Sequence, residues 1–117
     1  MRAWVLAVML ATGCGDNLNG HWTGECVPGD TLPTVSIVVD LTEGSQNLVG
    51  GPATVTWDST DHDVTVDGTT DLNLVTLQFD AEDYQFELDG SWDGDRIDGT
   101  CTEMQGAFAD GTFSLTR

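Results

Sequence analysis

The sequence contains no lysine, and its three basic side chains face twenty acidic ones, for a formal net charge of −17. So few cations argue against a nucleic-acid partner, because an acidic surface repels phosphate. They also argue against a basic membrane-binding patch, because anionic headgroups are repelled as well. The acidic residues have two interpretations: they keep the domain hydrated and soluble, or some of them bind Ca²⁺ or a cationic ligand.

The sequence also lacks an apolar run long enough to cross a bilayer as a helix, which takes about 20 residues. Its N-terminal apolar run, residues 3–11, follows a single basic residue, Arg2, and leads into small residues. That arrangement is typical of an export signal. A buried strand or helix over residues 1–13 is the alternative, although the polar residues 15–17 interrupt the run at once. The remaining residues, about a hundred, suffice for one domain.

Ala11, Thr12 and Gly13 run directly into Cys14. This stretch resembles the lipobox of bacterial lipoprotein signal peptides, with Ala11 where a larger aliphatic residue is usual. The resemblance implies cleavage before Cys14 and a lipid such as palmitate on that cysteine, which would anchor the exported protein to a membrane. Ordinary signal peptidase cutting at the same bond without lipid is the alternative. Gly15, rather than aspartate, follows Cys14, and this resembles the enterobacterial pattern for lipoproteins sorted to the outer membrane.

This interpretation divides the chain into three parts. Residues 1–13 are the signal peptide, residues 14–19 are the lipidated cysteine with a short tether, and residues 20–117 are a folded domain. With Cys14 assigned to lipid, Cys26 and Cys101 are left of the three cysteines. An oxidising compartment permits a disulfide between them, and two separate buried thiols are the alternative.

Alternation of apolar and polar side chains predicts short, half-buried strands throughout the domain. The clearest run is residues 34–42, where Val35, Ile37, Val39 and Leu41 share one face. The same alternation marks further segments: residues 20–26, 54–57, 62–67, 84–92, 96–101 and 112–117.

Two segments depart from simple alternation. Gly50, Gly51 and Pro52 predict a bend or a break after a short strand at residues 47–49. In residues 72–79 the apolar positions change parity between Leu74 and Val75, which predicts a one-residue β-bulge.

About eight short strands with a turn signal every ten residues or so, and no helical period after the signal, predict an all-β domain. Short, regular connections favour antiparallel neighbours in an up-and-down β-barrel or a flattened sandwich. In such a barrel a bridge from Cys26 to Cys101 must cross the interior near one end, because a disulfide requires Cα atoms within about 7 Å.

Gly20 and Trp22 in the first strand, together with Arg117 at the end of the last, resemble the calycin superfamily of lipocalins and avidins. The resemblance implies barrel closure by packing Trp22 under Arg117, a cation–π contact worth about 1 kcal/mol. It covers three residues, and no stretch matches the motifs with which avidins hold biotin. No ligand-binding residue is therefore carried over from that family.

Residues for catalysis or metal binding are scarce. Ser91 lies in the wrong place for a nucleophile elbow. His62 between two aspartates has two interpretations, a metal ligand or a solvated turn, and residues 93–95 are a hairpin turn rather than a calcium loop. Trp57 and Trp92 either belong to the core or line an apolar ligand pocket.

We therefore expect no catalytic residue, no metal and no cofactor. The sequence predicts a non-enzymatic binding or structural module of the cell envelope, attached to the membrane through its lipid, with its protein or small-molecule partner unspecified. The alternative is a calycin-like carrier of a small hydrophobic ligand, and a hydrolase using acidic residues is a third candidate.

Overall fold

The computed structural model describes residues 17–29, 34–81, 84–103 and 110–117. These residues form eight antiparallel strands and the turns between them, and no helix occurs among them. The strands are β1 Gly20–Val27, β2 Val35–Glu43, β3 Leu48–Trp57, β4 Thr60–Asp71, β5 Leu74–Ala81, β6 Tyr84–Asp93, β7 Arg96–Glu103 and β8 Gly111–Thr116.

The strands close into a barrel in chain order, because β1 pairs with β2 on one side and with β8 on the other. This confirms the predicted all-β, up-and-down barrel and excludes the sandwich. Closure leaves none of the eight described strands with a free edge for another chain to extend. We call the end where β1 begins the proximal end, which also carries the turns at residues 44–47, 72–73 and 94–95. The opposite end is the distal end.

The predicted inward faces of β1 and β2 are buried. Trp22 and Cys26 of β1 are fully buried, and the four alternate apolar residues of β2 are at most 4% exposed. The interior is filled by large side chains less than 2% exposed, which include Trp22, Ile37, Leu77, Phe79, Leu88, Ile97 and Leu115. Phe79 and Phe86 stack at 4.6 Å between ring centroids.

The predicted disulfide between Cys26 and Cys101 is present, with a Cα to Cα distance of 6.2 Å. The two cysteines belong to β1 and β7, the strands on either side of β8. The bridge can pass from β1 to β7 because β8 begins at this level of the barrel. Its first residue, the buried Gly111, pairs with Cys101. An up-and-down barrel therefore accommodates the bridge near its distal end.

Three local predictions are wrong. Residues 50–52 do not interrupt the sheet, since β3 runs continuously and pairs with β4 from Leu48 to Trp57. No bulge occurs in β5, whose register with β4 is regular, because Leu74 faces outward at 57% exposure. His62 lies in β4 opposite Val55 rather than in a turn.

Candidate functional site

Trp22 closes the proximal end of the barrel. Its side chain is fully buried, and its indole Nε1 donates a hydrogen bond to the carbonyl of Leu18 at 2.8 Å. The guanidinium carbon of Arg117 lies 4.6 Å from the centroid of the Trp22 ring. The contact expected from the sequence between the first and last strands is thus formed.

Arg117 also binds the segment that precedes the barrel. Its Nη1 donates to the carbonyls of Asn17 and Asn19 at 2.8 and 2.9 Å. Nη2 donates to the carbonyl of Gly94 at 3.0 Å, and Nε donates to Asp95 at 3.0 Å. The side chain is only 19% exposed, so one residue ties the N-terminal segment to the last strand and to the turn between β6 and β7.

The end of β2 holds the same segment from the other side. The Glu43 carboxylate accepts a hydrogen bond from the Leu18 amide, and the Glu43 amide donates to the Asn19 side chain at 2.7 Å. Leu18 itself is fully buried. The path by which the chain enters the barrel is therefore fixed at the proximal end.

At the distal end, Trp57 and His62 stack face to face with ring centroids 3.7 Å apart. The Nε2 atom of His62 is buried, with no described residue as its hydrogen-bond partner. The neighbouring acids Asp61 and Asp63 instead accept hydrogen bonds from Thr56 and Thr54. The three residues therefore do not converge on one metal position.

Glu103 is a buried acid that the sequence analysis missed. It is 3% exposed and lies at the end of β7, where it pairs with Phe86. Ile97 and Cys101 face inward on the same strand, and their alternation extends to Glu103. This alternation was the available signal in the sequence. The predicted strand ended at Cys101, however, so nothing indicated that the carboxylate of Glu103 lies inside the barrel.

The structure does not bring Trp57 and Trp92 together. Trp57 ends β3 at the distal end, and Trp92 lies near the end of β6 at the proximal end, where its Nε1 donates to the Gly94 carbonyl at 2.7 Å. Both pack against the core as partly buried residues. They cannot line a single pocket, which corrects that part of the prediction.

A cleft of about 620 Å³ lies on the outer wall, where β1, β7 and β8 meet. Its lining includes Thr23, Glu25 and Ser114 and the ion pair of Arg96 with Asp98, whose Nε to Oδ2 distance is 2.6 Å. The cleft is open to solvent, and its lining mixes polar groups with apolar ones such as Val27 and Phe113.

Outward carboxylates are held by neutral donors on neighbouring strands. The pairs are Thr54 with Asp63, Thr56 with Asp61, Thr76 with Asp89, Gln78 with Glu87, and Gln85 with Asp80. Threonine hydroxyls and glutamine amides, rather than cations, thus satisfy these carboxylates.

Two acids on the outer wall, Glu87 and Asp98, have shifted pKa values. A side-chain hydrogen bond with Asp89 raises the pKa of Glu87. The hydrogen bond from Arg96 lowers the pKa of Asp98. Asp98 borders the outer cleft and Glu87 is not part of its lining. The two acids do not share a site where one could act as acid and the other as base.

Among the described residues, no cluster of three or more histidine, cysteine, aspartate or glutamate side chains could hold a metal ion. The described residues also contain no helix able to span a membrane. No protein-family model matches the chain, and neither a curated protein nor a solved structure is similar enough to match it.

Proposed function

We propose that this chain is a membrane-anchored bacterial lipoprotein whose barrel is a non-enzymatic binding or structural module of the cell envelope. The observation that carries the proposal is the fixed position of the N-terminal segment. Arg117 and Glu43 hold residues 17–19 at the proximal end, three residues after the lipobox cysteine Cys14. A lipid on Cys14 would keep the barrel close to the bilayer.

The cysteines support export and lipidation together. The bridge joining Cys26 and Cys101 leaves Cys14 as the third cysteine of the chain. Disulfides persist in oxidising compartments outside the cytosol, in agreement with an export signal at residues 1–13. The glycine after Cys14 further favours the outer membrane.

The packed interior of the barrel supports the proposal that the protein binds its partner through its outer surface. Apolar side chains occupy the interior, and the outer cleft, which is open to solvent, is lined by both polar and apolar groups. The acids with shifted pKa values lie on the outer wall, apart from each other. Binding through the wall or loops fits this arrangement better than catalysis.

A calycin-like carrier of a small hydrophobic ligand is the second candidate. The closed eight-stranded barrel and the contact of Trp22 with Arg117 favour it. The packed interior argues against it, because a carrier of this type encloses its ligand within the barrel. A panel of apolar ligands that leaves tryptophan fluorescence unchanged would eliminate the carrier.

Detergent-phase partition tests the anchor. The protein is expressed with its own signal in a bacterial host, beside a Cys14→Ser variant that retains the rest of the chain. We expect the parent in the detergent phase and the variant in the aqueous phase of the exported fraction. Recovery of both in the aqueous phase contradicts lipid anchoring.

A further inference from the structure

Three exposed leucines gather at the proximal end of the barrel. Leu72 is 90% exposed, and Leu74 and Leu48 are 57% and 52% exposed. Leu72 lies in the turn between β4 and β5, Leu74 opens β5 and Leu48 opens β3. Burial of apolar surface is favourable, so these positions forgo a stabilisation that the folded barrel does not recover.

Hydrogen bonds to adjacent strands hold the two hairpins that carry these leucines. The carbonyl of Asn47 accepts from the Thr70 amide at 2.9 Å, and the carbonyl of Asn73 accepts from the Trp92 amide at 2.7 Å. Leu72 adopts a positive φ of 57°, a conformation that leucine rarely takes. The leucines therefore project from a defined rim.

The N-terminal segment leaves the barrel at this same rim. Arg117 holds the carbonyls of Asn17 and Asn19. Asn17 lies three positions after Cys14, and an extended chain of that length spans at most about 11 Å. An acyl chain on Cys14 therefore brings the proximal rim close to the bilayer.

We propose that Leu48, Leu72 and Leu74 insert into the apolar boundary of the bilayer and hold the barrel upright on its proximal end. The inference rests on the proposed acylation of Cys14. Two of the three proximal turn tips, residues 44–47 and 72–73, carry no charge, and the third, residues 94–95, carries Asp95. The net charge of −17 favours zwitterionic over anionic headgroups.

A polarity-sensitive dye on a single introduced thiol tests this contact. Acylation blocks Cys14 and the disulfide blocks the other two cysteines, so Leu72→Cys provides the one reactive thiol of the mature lipoprotein. The matched control is Val27→Cys, which replaces an outward apolar residue 49% exposed at the distal end. Both labelled proteins are reconstituted into phosphatidylcholine vesicles with and without brominated phosphatidylcholine.

We expect a blue-shifted, severalfold brighter emission from the dye at position 72, strongly quenched by the brominated lipid, and neither effect at position 27. Equal, water-like emission from both positions on vesicle-bound protein overturns the insertion while leaving the anchor intact. Protein that stays off the vesicles and labels at Cys14 as well overturns the acylation and the insertion with it.

Discussion

Arg117 shows how much of the proximal end depends on one residue. Its planar guanidinium covers Trp22 and donates to three carbonyls and a carboxylate. Gly20 beneath it leaves the necessary room, because a Cβ there would lie 2.6 Å from Arg117 Cδ. A lysine retains the charge and loses the fork of donors.

We expect Arg117→Lys to lower the free energy of unfolding by about 2 kcal/mol, since several charge-assisted hydrogen bonds are lost. The matched control is Arg96→Lys, whose partner Asp98 lies on the exposed wall, and no measurable loss is expected there. Urea denaturation followed by tryptophan fluorescence measures both. Similar losses in the two variants would refute the importance of the Arg117 network.

Glu87 should make stability depend on pH. Its hydrogen bond with Asp89 raises its folded-state pKa above the ordinary value of 4.5, so the folded state binds this proton more tightly than the unfolded state. Stability should then fall as the pH rises above 4.5 through the folded pKa.

Glu87→Gln should remove this decline. We expect the decline itself to be less than about 1 kcal/mol, because both side chains are only partly buried. Glu25→Gln, an exposed acid on β1, removes the same charge and should leave the decline in place. The urea midpoints of both variants, measured from pH 4 to 7, test this expectation. If the midpoints of the two variants depend on pH in the same way, the interaction of Glu87 with Asp89 is ruled out as the cause.

The positions of single residues also show what the sequence could and could not predict. Trp22 and Arg117 could be paired because their positions in the first and last strands are visible in the sequence. Glu103 could not be placed inside the barrel, because its burial depends on strand β7 running two residues past Cys101. The opposite-end positions of Trp57 and Trp92 likewise follow from strand direction, which parity does not reveal.

At the scale of strands, alternation predicted most of the barrel because one face of each strand is buried and the other is wet. It failed where an apolar residue faces water. Leu72 and Leu74 do not fit the alternation of β5. The predicted bulge followed from the assumption that both leucines point inward, whereas both are exposed. The proposed insertion into the bilayer accounts for their exposure at the proximal rim.

Close approach of neighbouring strands gives a test of the barrel wall. A Cβ at Gly24 would lie 1.8 Å from the backbone oxygen of Ser114 in β8. We expect Gly24→Ala to destabilise the protein by about 3 kcal/mol or more, because β1 and β8 must move apart. Gly44→Ala, with its nearest atom at 3.9 Å, should change the urea midpoint little. Equal midpoints would refute the close pairing of β1 with β8.

At the scale of the molecule, the disulfide joins β1 to β7 across 75 residues of sequence. The paired Cys26→Ala and Cys101→Ala variant should lose about 4 kcal/mol, mainly because its unfolded chain is less constrained. Denaturation of the parent with and without reductant provides the control. If the reductant lowers the stability of the double variant as well, the loss of stability in the parent does not come from the disulfide.

The whole molecule combines an acidic, water-facing wall with an N-terminal segment fixed at one end. Neither a basic patch nor a described helix provides contact with a bilayer, so we propose that a lipid on Cys14 and the leucines of the proximal rim make that contact. The intact mass of the mature exported protein tests this assignment most directly. We predict a chain that begins at Cys14, carries acyl groups and lacks the two hydrogens of a disulfide. A chain with an unmodified residue 14 would contradict it.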